Sequence, residues 1–171
     1  MINASDVRTL LDYNSLTGEF VWRHRVGDGR QVRRFNKLFA GKVAGNITHQ
    51  GYCEIRIFSK AYQAHRLAWL WMTGEWPKLQ IDHKNGNPPD NRWANLREAT
   101  PEQNRANARS ISRSGATLKG ICYNKSVRRF QSQIRIRGRN IHLGLFDTPE
   151  EAHHAYAVAA KKYHGEFARV T

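Results

Sequence analysis

An ordered run of acidic, imidazole and amide side chains constrains this chain more than any other sequence feature. It starts with Asp82 and His83 and continues through Asn95 to Asn104 and Asn107. Each asparagine taken alone is better explained as a turn residue. Together, the set supplies a base that activates water and oxygen atoms that bind a cation, which are the groups that phosphodiester hydrolysis needs.

The first half of this run predicts two strands joined by a loop. Residues 80–83 and 96–99 have the pattern of strands, and Asn85-Gly86 between them is a strong turn signal. Neighbouring residues of a strand point to opposite faces. Asp82 and His83 therefore share a site only if the first strand ends or bulges at this point.

The second half predicts a helix. Thr100 is a capping residue, Pro101 suits the first helical position, and Gln103 completes a capping box. Asn104 then falls in the first turn or just past it, and Asn107 lies one turn further on the same face.

Charge indicates a polyanionic partner. The chain has 28 Lys and Arg against 14 Asp and Glu, a formal charge of +14, which is typical of proteins that bind nucleic acid or anionic lipid. Between Gln103 and Phe146 there are ten Lys or Arg and no acid. Five Trp, six Tyr and seven Phe argue against a disordered basic tail, because such tails lack the apolar residues that form a core.

Cysteine usage and the N-terminus bear on location. Cys53 and Cys122 are far apart and belong to no Cys-x-x-Cys pair, which excludes a thiolate zinc knuckle and suits a reducing cytoplasm. No signal peptide and no apolar run of bilayer length is present. We expect a soluble, cytoplasmic protein that is not secreted and has no membrane partner.

The regions on either side of the run are also patterned. Residues 1–64 are predicted to be β-rich after a short N-terminal helix, with strands at 19–23 and after Gly51. A short apolar helix is predicted from His65 to about Met72. Beyond a Ser-rich, Arg-containing linker the chain predicts three strands and a helix.

Polar residues follow one face of the middle strand in this last region. Between Phe130 and Arg137, the residues Gln131, Gln133, Arg135 and Arg137 point one way. Such a face is either a solvated surface or a set of donors for base edges and phosphates in the DNA major groove. The absence of acids from the sheet favours nucleic-acid binding.

The next strand and the last helix complete the predicted sheet. Strict alternation predicts that one face of this strand carries Ile141, Leu143 and Leu145. The opposite face then carries Asn140, His142 and Gly144. Helical spacing predicts an apolar face that packs on the sheet, formed by Ala152, Ala155, Tyr156, Ala159, Ala160 and Tyr163.

Residues 116–170 resemble the APETALA/ethylene-response-factor DNA-binding domain. The segments that carry the resemblance are Lys119-Gly120-Ile121, Ile134-Arg135, His142 to Ala152, Ala155-Tyr156 and Gly165. That family reads the major groove with a three-stranded sheet. The resemblance implies DNA contacts by Lys119, Gly120, Gln133, Arg135, Asn140 and His142. His142 replaces a tryptophan of the plant proteins, so their target sequence is not carried over.

Residues 65–104 resemble the HNH endonucleases, in particular the phage and intron-encoded homing enzymes that nick or cut DNA. The resemblance implies two strands and a helix that hold one divalent metal. It makes His83 the general base and Asp82 and Asn104 the metal ligands. It also implies that Asn95 braces the loop that positions His83.

The chemistry of these residues agrees with that role. A neutral imidazole accepts a proton at cellular pH. A carboxylate and an amide oxygen suit a hard cation such as Mg²⁺ or Mn²⁺, and no structural zinc is expected. Asn107 is an alternative ligand or a residue that supports one. His65 is expected to be a buried structural histidine.

The sequence thus predicts an α+β protein in four segments, 1–64, 65–109, 110–115 and 116–171. These are a β-rich leader, an HNH core, a linker and a DNA-binding sheet packed on one helix. The predicted function is a DNA endonuclease that acts on double-stranded DNA, with a monomer favoured. The alternatives are a non-catalytic DNA-binding regulator on a degenerate HNH scaffold and an RNA-binding structural protein. A phage origin would place it in the cytoplasm of a bacterial host.

Overall fold

A computed structural model of the chain describes residues 2–108 and 118–170. The chain divides into two compact units, Met1–Glu98 and Ala99–Thr171. The predicted linker at 110–115 lies outside the described residues. None of the helices in the described part is long and apolar enough to span a bilayer.

The first unit contains three helices and three small sheets. Its elements in chain order are α1 (Ala4–Leu10), β1 (Leu11–Tyr13), β2 (Phe20–Trp22), α2 (Arg30–Phe39), β3 (Asn46–Ile47), β4 (Cys53–Ile57), β5 (Lys60–Gln63), α3 (Ala64–Thr73), β6 (Gln80–His83) and β7 (Leu96–Ala99), of which the last residue opens the second unit. The sheets pair β1 with β2, β6 with β7, and β3, β4 and β5 in that order.

One hydrophobic core holds the first unit together. It joins Leu11 and Phe20 of the N-terminal hairpin to Ile55 of β4, Leu67 of α3 and Leu96 of β7. The boundary predicted after residue 64 therefore lies inside a compact unit, because the leader and the predicted HNH strands bury their apolar faces against each other.

The leader is less β-rich than predicted. Its longest element is the helix α2, Arg30–Phe39, which the sequence analysis did not predict. Gly29 caps α2 without a side-chain hydrogen bond and the first turn has no acid, so the usual start signals of a helix are absent. The strands β6 and β7, by contrast, have the predicted bounds.

The second unit is a three-stranded antiparallel sheet with a helix on one face. Its elements are α4 (Pro101–Asn107), β8 (Ile121–Asn124), β9 (Arg129–Ile136), β10 (Arg139–Phe146) and α5 (Pro149–His164). The strand order is β10-β9-β8. The core of this unit forms where Ile134 of β9 meets Tyr156, Ala159 and Ala160 of α5. The predicted α+β class and the sheet packed on one helix are confirmed.

Two details of this unit differ from the predicted alternation. A β-bulge between His142 and Gly144 shifts the register, so that Leu145 pairs with Gln131. Leu145 therefore lies on the polar face of the sheet, because one extra residue reverses the side of every residue after it. Tyr163, predicted to pack on the sheet, is 49% exposed near the end of α5.

Candidate active site

The end of β6 brings an acid and an imidazole together in the interior of the first unit. Asp82 is 3% exposed and His83 is 5% exposed. The strand ends at His83, and the chain then turns, with the Gly86 amide donating to the His83 carbonyl at 2.7 Å. The strand thus ends where the sequence analysis required it to end, and both side chains are buried.

Asn91 fixes the imidazole of His83. Its Oδ1 lies 3.2 Å from Nε2 of His83, and its own amide nitrogen donates to the Pro89 carbonyl at 3.2 Å. Since Oδ1 is an acceptor only, the neutral imidazole must donate through Nε2. Nδ1 then carries the lone pair that accepts a proton.

The surroundings of His83 keep it neutral. Burial lowers the pKa of His83, and the hydrogen bond that His83 donates to Asn91 and the charges of Asp82 and Asp90 oppose that shift without cancelling it. A neutral imidazole in a buried position is the form that a general base requires.

Asn95 joins the two ends of the loop that follows β6. Its Oδ1 accepts from the Asn85 amide at 3.0 Å, and its Nδ2 donates to the Asp90 carbonyl at 2.7 Å. Arg92 binds the Asp90 carboxylate with two nitrogen atoms, at 2.8 and 2.6 Å. These hydrogen bonds from Arg92 hold the pKa of Asp90 down at about 2. The loop therefore has a defined shape on both sides of Asn91.

The N-terminal hairpin fastens the same loop from outside the motif. The Tyr13 hydroxyl donates to the Asn91 carbonyl at 2.6 Å. Gly18 has φ +79, and a Cβ there would overlap the backbone of Asn91 and Arg92, so only glycine allows this approach. Sequence reasoning missed Tyr13, because 78 positions separate it from Asn91 and no local pattern links them.

Arg97 is a second residue that sequence reasoning did not assign. Its Nε lies 2.9 Å from Oδ2 of Asp82, and the two side chains are 12% and 4% exposed. The Asn95-Leu96-Arg97 segment places Arg97 on β7, the strand that pairs with β6. A signal existed, since a cation across from a buried acid is the usual partner of that acid.

His65 packs against His83. The two ring centroids are 5.0 Å apart in an edge-to-face arrangement, and Tyr52 contacts both rings. His65 is 4% exposed, as expected of a structural histidine. Burial, with His83 and Arg66 nearby, lowers the pKa of His65 to about 3, so two neutral imidazoles lie side by side.

Asn104 and Asn107 lie in the second unit, on α4. The Thr100 hydroxyl and the Gln103 side chain form the predicted capping box of that helix. Asn104 is half-buried and Asn107 is 5% exposed. Within residues 2–108 and 118–170, no group of three or more His, Cys, Asp or Glu is placed to hold a metal ion. Of the proposed ligands, only Asp82 belongs to those residue types.

The face of the β8–β10 sheet opposite α5 carries most of the predicted DNA-contacting residues. Cross-strand pairs on it join His142 to Gln133 and Asn140 to Arg135. Exposed side chains on or beside this face are Arg135, Arg137, Asn140 and His142, and half-buried ones are Gln131 and Gln133. At the start of the central strand β9, Arg129 pairs with Asp147 at 2.7 Å.

Lys119 and Gly120 have other partners within the second unit. The Lys119 ammonium donates to the carbonyls of Ala106 and Ala108 at the end of α4. Its burial lowers the pKa of Lys119 to about 8. Gly120 has φ +80, and a Cβ there would overlap the ring of Tyr156. Both residues make contacts inside the second unit, and these contacts compete with the predicted contacts to DNA.

Comparison with known proteins identifies the motif. The sequence profile of the HNH endonuclease family matches residues 62–106. Protein 3.8 of Escherichia phage T7 is 30% identical over 113 residues, an alignment that covers 66% of this chain and 93% of that protein. The chain belongs to the same family as Protein 3.8 and carries an HNH endonuclease domain.

A solved structure is also similar. It is that of the HNH homing endonuclease I-HmuI, described for its DNA binding and cleavage. The sequences are 21% identical, the alignment covers 90% of this chain and 84% of I-HmuI, and the TM-score is 0.41.

Proposed function

We propose that this protein is a DNA endonuclease that hydrolyses phosphodiester bonds, with His83 as general base and one divalent metal as cofactor. The observation that carries the proposal is the buried, neutral imidazole of His83, held through Nε2 by Asn91 beside the acid Asp82. An HNH endonuclease domain surrounds it.

The proposed role of His83 as general base follows from Nδ1, the ring nitrogen that carries the lone pair when Nε2 donates to Asn91. A proton of the attacking water passes to Nδ1, and the water oxygen bonds to phosphorus. The bond from phosphorus to the leaving sugar oxygen breaks, and this oxygen keeps the electron pair and takes a proton from solvent. The Nε2 proton stays on His83 and remains hydrogen-bonded to Oδ1 of Asn91, so the charge that develops on the imidazole is stabilised by an acceptor already in place. Asn95 acts through the loop that carries Asn91 and is a positioning residue.

The residues proposed to hold the metal are Asp82 and Asn104, with Asn107 as an alternative or supporting group. The donor set fits: Asp82 provides a carboxylate at the end of β6, and the asparagines provide amide oxygens, which hard cations such as Mg²⁺ and Mn²⁺ prefer. When bound, such an ion stabilises negative charge on the phosphate and the leaving oxygen. Asp82 is held in position by Arg97.

The DNA would dock on the polar face of the β8–β10 sheet. Support comes from the exposed Arg135, Arg137, Asn140 and His142 and the half-buried Gln131 and Gln133, and from the resemblance to the APETALA/ethylene-response-factor domain. Lys119 and Gly120 are not included, because the interior of the unit engages them.

One observation favours a second candidate, a DNA-binding regulator that does not cleave. The Arg97 guanidinium contacts the Asp82 carboxylate directly, and a neighbouring cation weakens the attraction of a carboxylate for a metal ion. The two candidates differ in whether metal supports cleavage.

Plasmid cleavage decides between them. Wild type should nick or linearise supercoiled plasmid with Mg²⁺ or Mn²⁺ and not in excess EDTA. His83→Ala should lower the rate by about two to four orders of magnitude, the usual contribution of a general base, while DNA affinity stays the same. The matched control is His49→Ala, at an exposed histidine of the same unit. Equal rates for His83→Ala and the control would contradict the assignment.

A further inference from the structure

A second acid-free basic stretch lies in the first unit. Between Asp28 and Glu54 there are 25 residues with five Lys or Arg and no Asp or Glu. Four of the five cations lie on α2: Arg30, Arg33, Arg34 and Lys37.

One face of α2 is anchored to the strand region that precedes it. The Phe35 ring meets Trp22 edge-on at 5.5 Å, and the Arg25 guanidinium lies 3.4 Å from the Phe35 centroid. Asn36 accepts from the Arg25 amide at 2.8 Å and donates to its carbonyl at 2.9 Å. These contacts fix the orientation of the helix, so its outer face is presented in a defined direction.

The outer face is a cationic stripe. Arg30, Arg33, Arg34 and Lys37 are all exposed, and they recur at helical spacing over about 10 Å, at 1.5 Å per residue. Within residues 2–108 and 118–170, none of the four forms an ion pair with a carboxylate. Arg33 donates to the Asp28 carbonyl instead.

This charge arrangement does not help the helix itself. Arg30 and Arg34, like Arg33 and Lys37, are like-charged pairs four residues apart, which destabilise a helix. Cations in the first turn also oppose the helix dipole. A face that served only solubility would gain from acids at these positions, so the uniform positive charge indicates a polyanion.

We propose that the α2 stripe is a second DNA-contacting surface, which binds the phosphate backbone of the same duplex that the endonuclease cleaves. The inference rests on the proposed function for the identity of the polyanion. The stripe spans about three base-pair steps at 3.4 Å per step. Contacts of this kind would add affinity without reading sequence.

The test is a salt titration of binding to a short duplex, with the full chain and EDTA present to prevent cleavage. The variant is Arg34→Gln with Lys37→Gln. The control, Lys161→Gln with Lys162→Gln, removes the same charge from two exposed lysines of α5, the helix behind the sheet. The variant should decrease the slope of log affinity against log salt by about 2, with a thermal melting temperature no lower than that of wild type. The control should keep the wild-type slope.

The outcomes separate the two proposals. If wild type binds and cuts DNA but the α2 variant has the same slope as the control, the α2 inference alone is overturned. If wild type binds no duplex at any salt concentration, the proposed function fails and the inference fails with it. A reduced slope in the α2 variant alone supports the second surface.

Discussion

Oδ1 of Asn91 lies 3.2 Å from Nε2 of His83, while the amide nitrogen of the same asparagine donates to the Pro89 carbonyl. The loop therefore orients the Asn91 side chain, and Asn91 in turn selects the tautomer of His83. We therefore propose that Asn91 positions His83, although no role for it followed from the motif.

Replacing Asn91 with Leu should slow single-turnover cleavage by about 10- to 100-fold, since a buried donor that loses its acceptor costs about 1 to 3 kcal/mol. Asn91→Asp retains an acceptor for Nε2 and should recover most of the rate. The imidazole ¹⁵N shifts of His83 report the tautomer and should change in Asn91→Leu only. Unchanged shifts and rate in a folded Asn91→Leu protein would remove Asn91 from the mechanism.

Asp82→Asn and Asn104→Ala should each raise the metal concentration needed for half-maximal cleavage, because each removes or weakens one of few oxygen ligands. Added Mn²⁺ should restore part of the activity. Asp12→Asn, at an exposed acid of β1, is the control and should match wild type. Identical metal dependence in all four proteins would refute the proposed ligands, and cleavage in EDTA would refute metal dependence.

Substitution of Arg135 should affect DNA binding, whereas substitution of Lys119 should affect stability. Arg135→Ala should reduce the salt slope of DNA binding by about 1 if it meets a phosphate, and it should leave stability within about 0.5 kcal/mol. Lys119→Met should instead destabilise the protein by about 1 to 3 kcal/mol, because two carbonyls at the end of α4 lose their donor. Urea unfolding measures the difference, with exposed Lys125→Met as the control. A stable Lys119→Met protein with weakened DNA binding would restore Lys119 to the interface.

A fall in pH should lower the folding stability of the protein through protonation of His65 in the unfolded chain. The pKa of His65 falls from 6.5 to about 3 on folding, so the unfolded chain binds a proton that the folded protein does not. Stability is therefore present above pH 6.5 and is lost as the pH falls towards 3. At about 1.4 kcal/mol per pKa unit, wild type should lose roughly 2 to 3 kcal/mol through this group by pH 4.5. Urea unfolding should show that His65→Gln lacks this loss of stability. The control, His49→Gln at an exposed histidine, should lose as much as wild type. An equal loss in His65→Gln would contradict the assignment.

Local signals account for what the sequence predicted well. Three residues close in sequence, Thr100, Pro101 and Gln103, predict the start of α4. The structure shows the capping box of Thr100 and Gln103, with Pro101 at the start of the helix. The strand at Gln80–His83 also ends as its turn signal required. In such places the interactions that decide the structure lie within a few positions of each other.

Non-local interactions account for what it missed. The helix α2 lacks start signals and is held by the rings of Trp22 and Phe35. The bulge after His142 moves Leu145 to the polar sheet face, and alternation alone predicted the opposite side. The orientation of His83 depends on Tyr13 through Asn91, a link that only tertiary structure reveals.

The hydrogen bond from Tyr13 to the Asn91 carbonyl also means that residues 62–106 do not hold this loop in shape by themselves. If residues 62–106 alone were grafted onto another protein, His83 and the asparagines of the loop would go with them. Such a graft would leave behind the hairpin whose tyrosine and close-packed Gly18 hold the loop in shape. A graft that keeps the shape of this loop therefore has to include the N-terminal hairpin together with the motif.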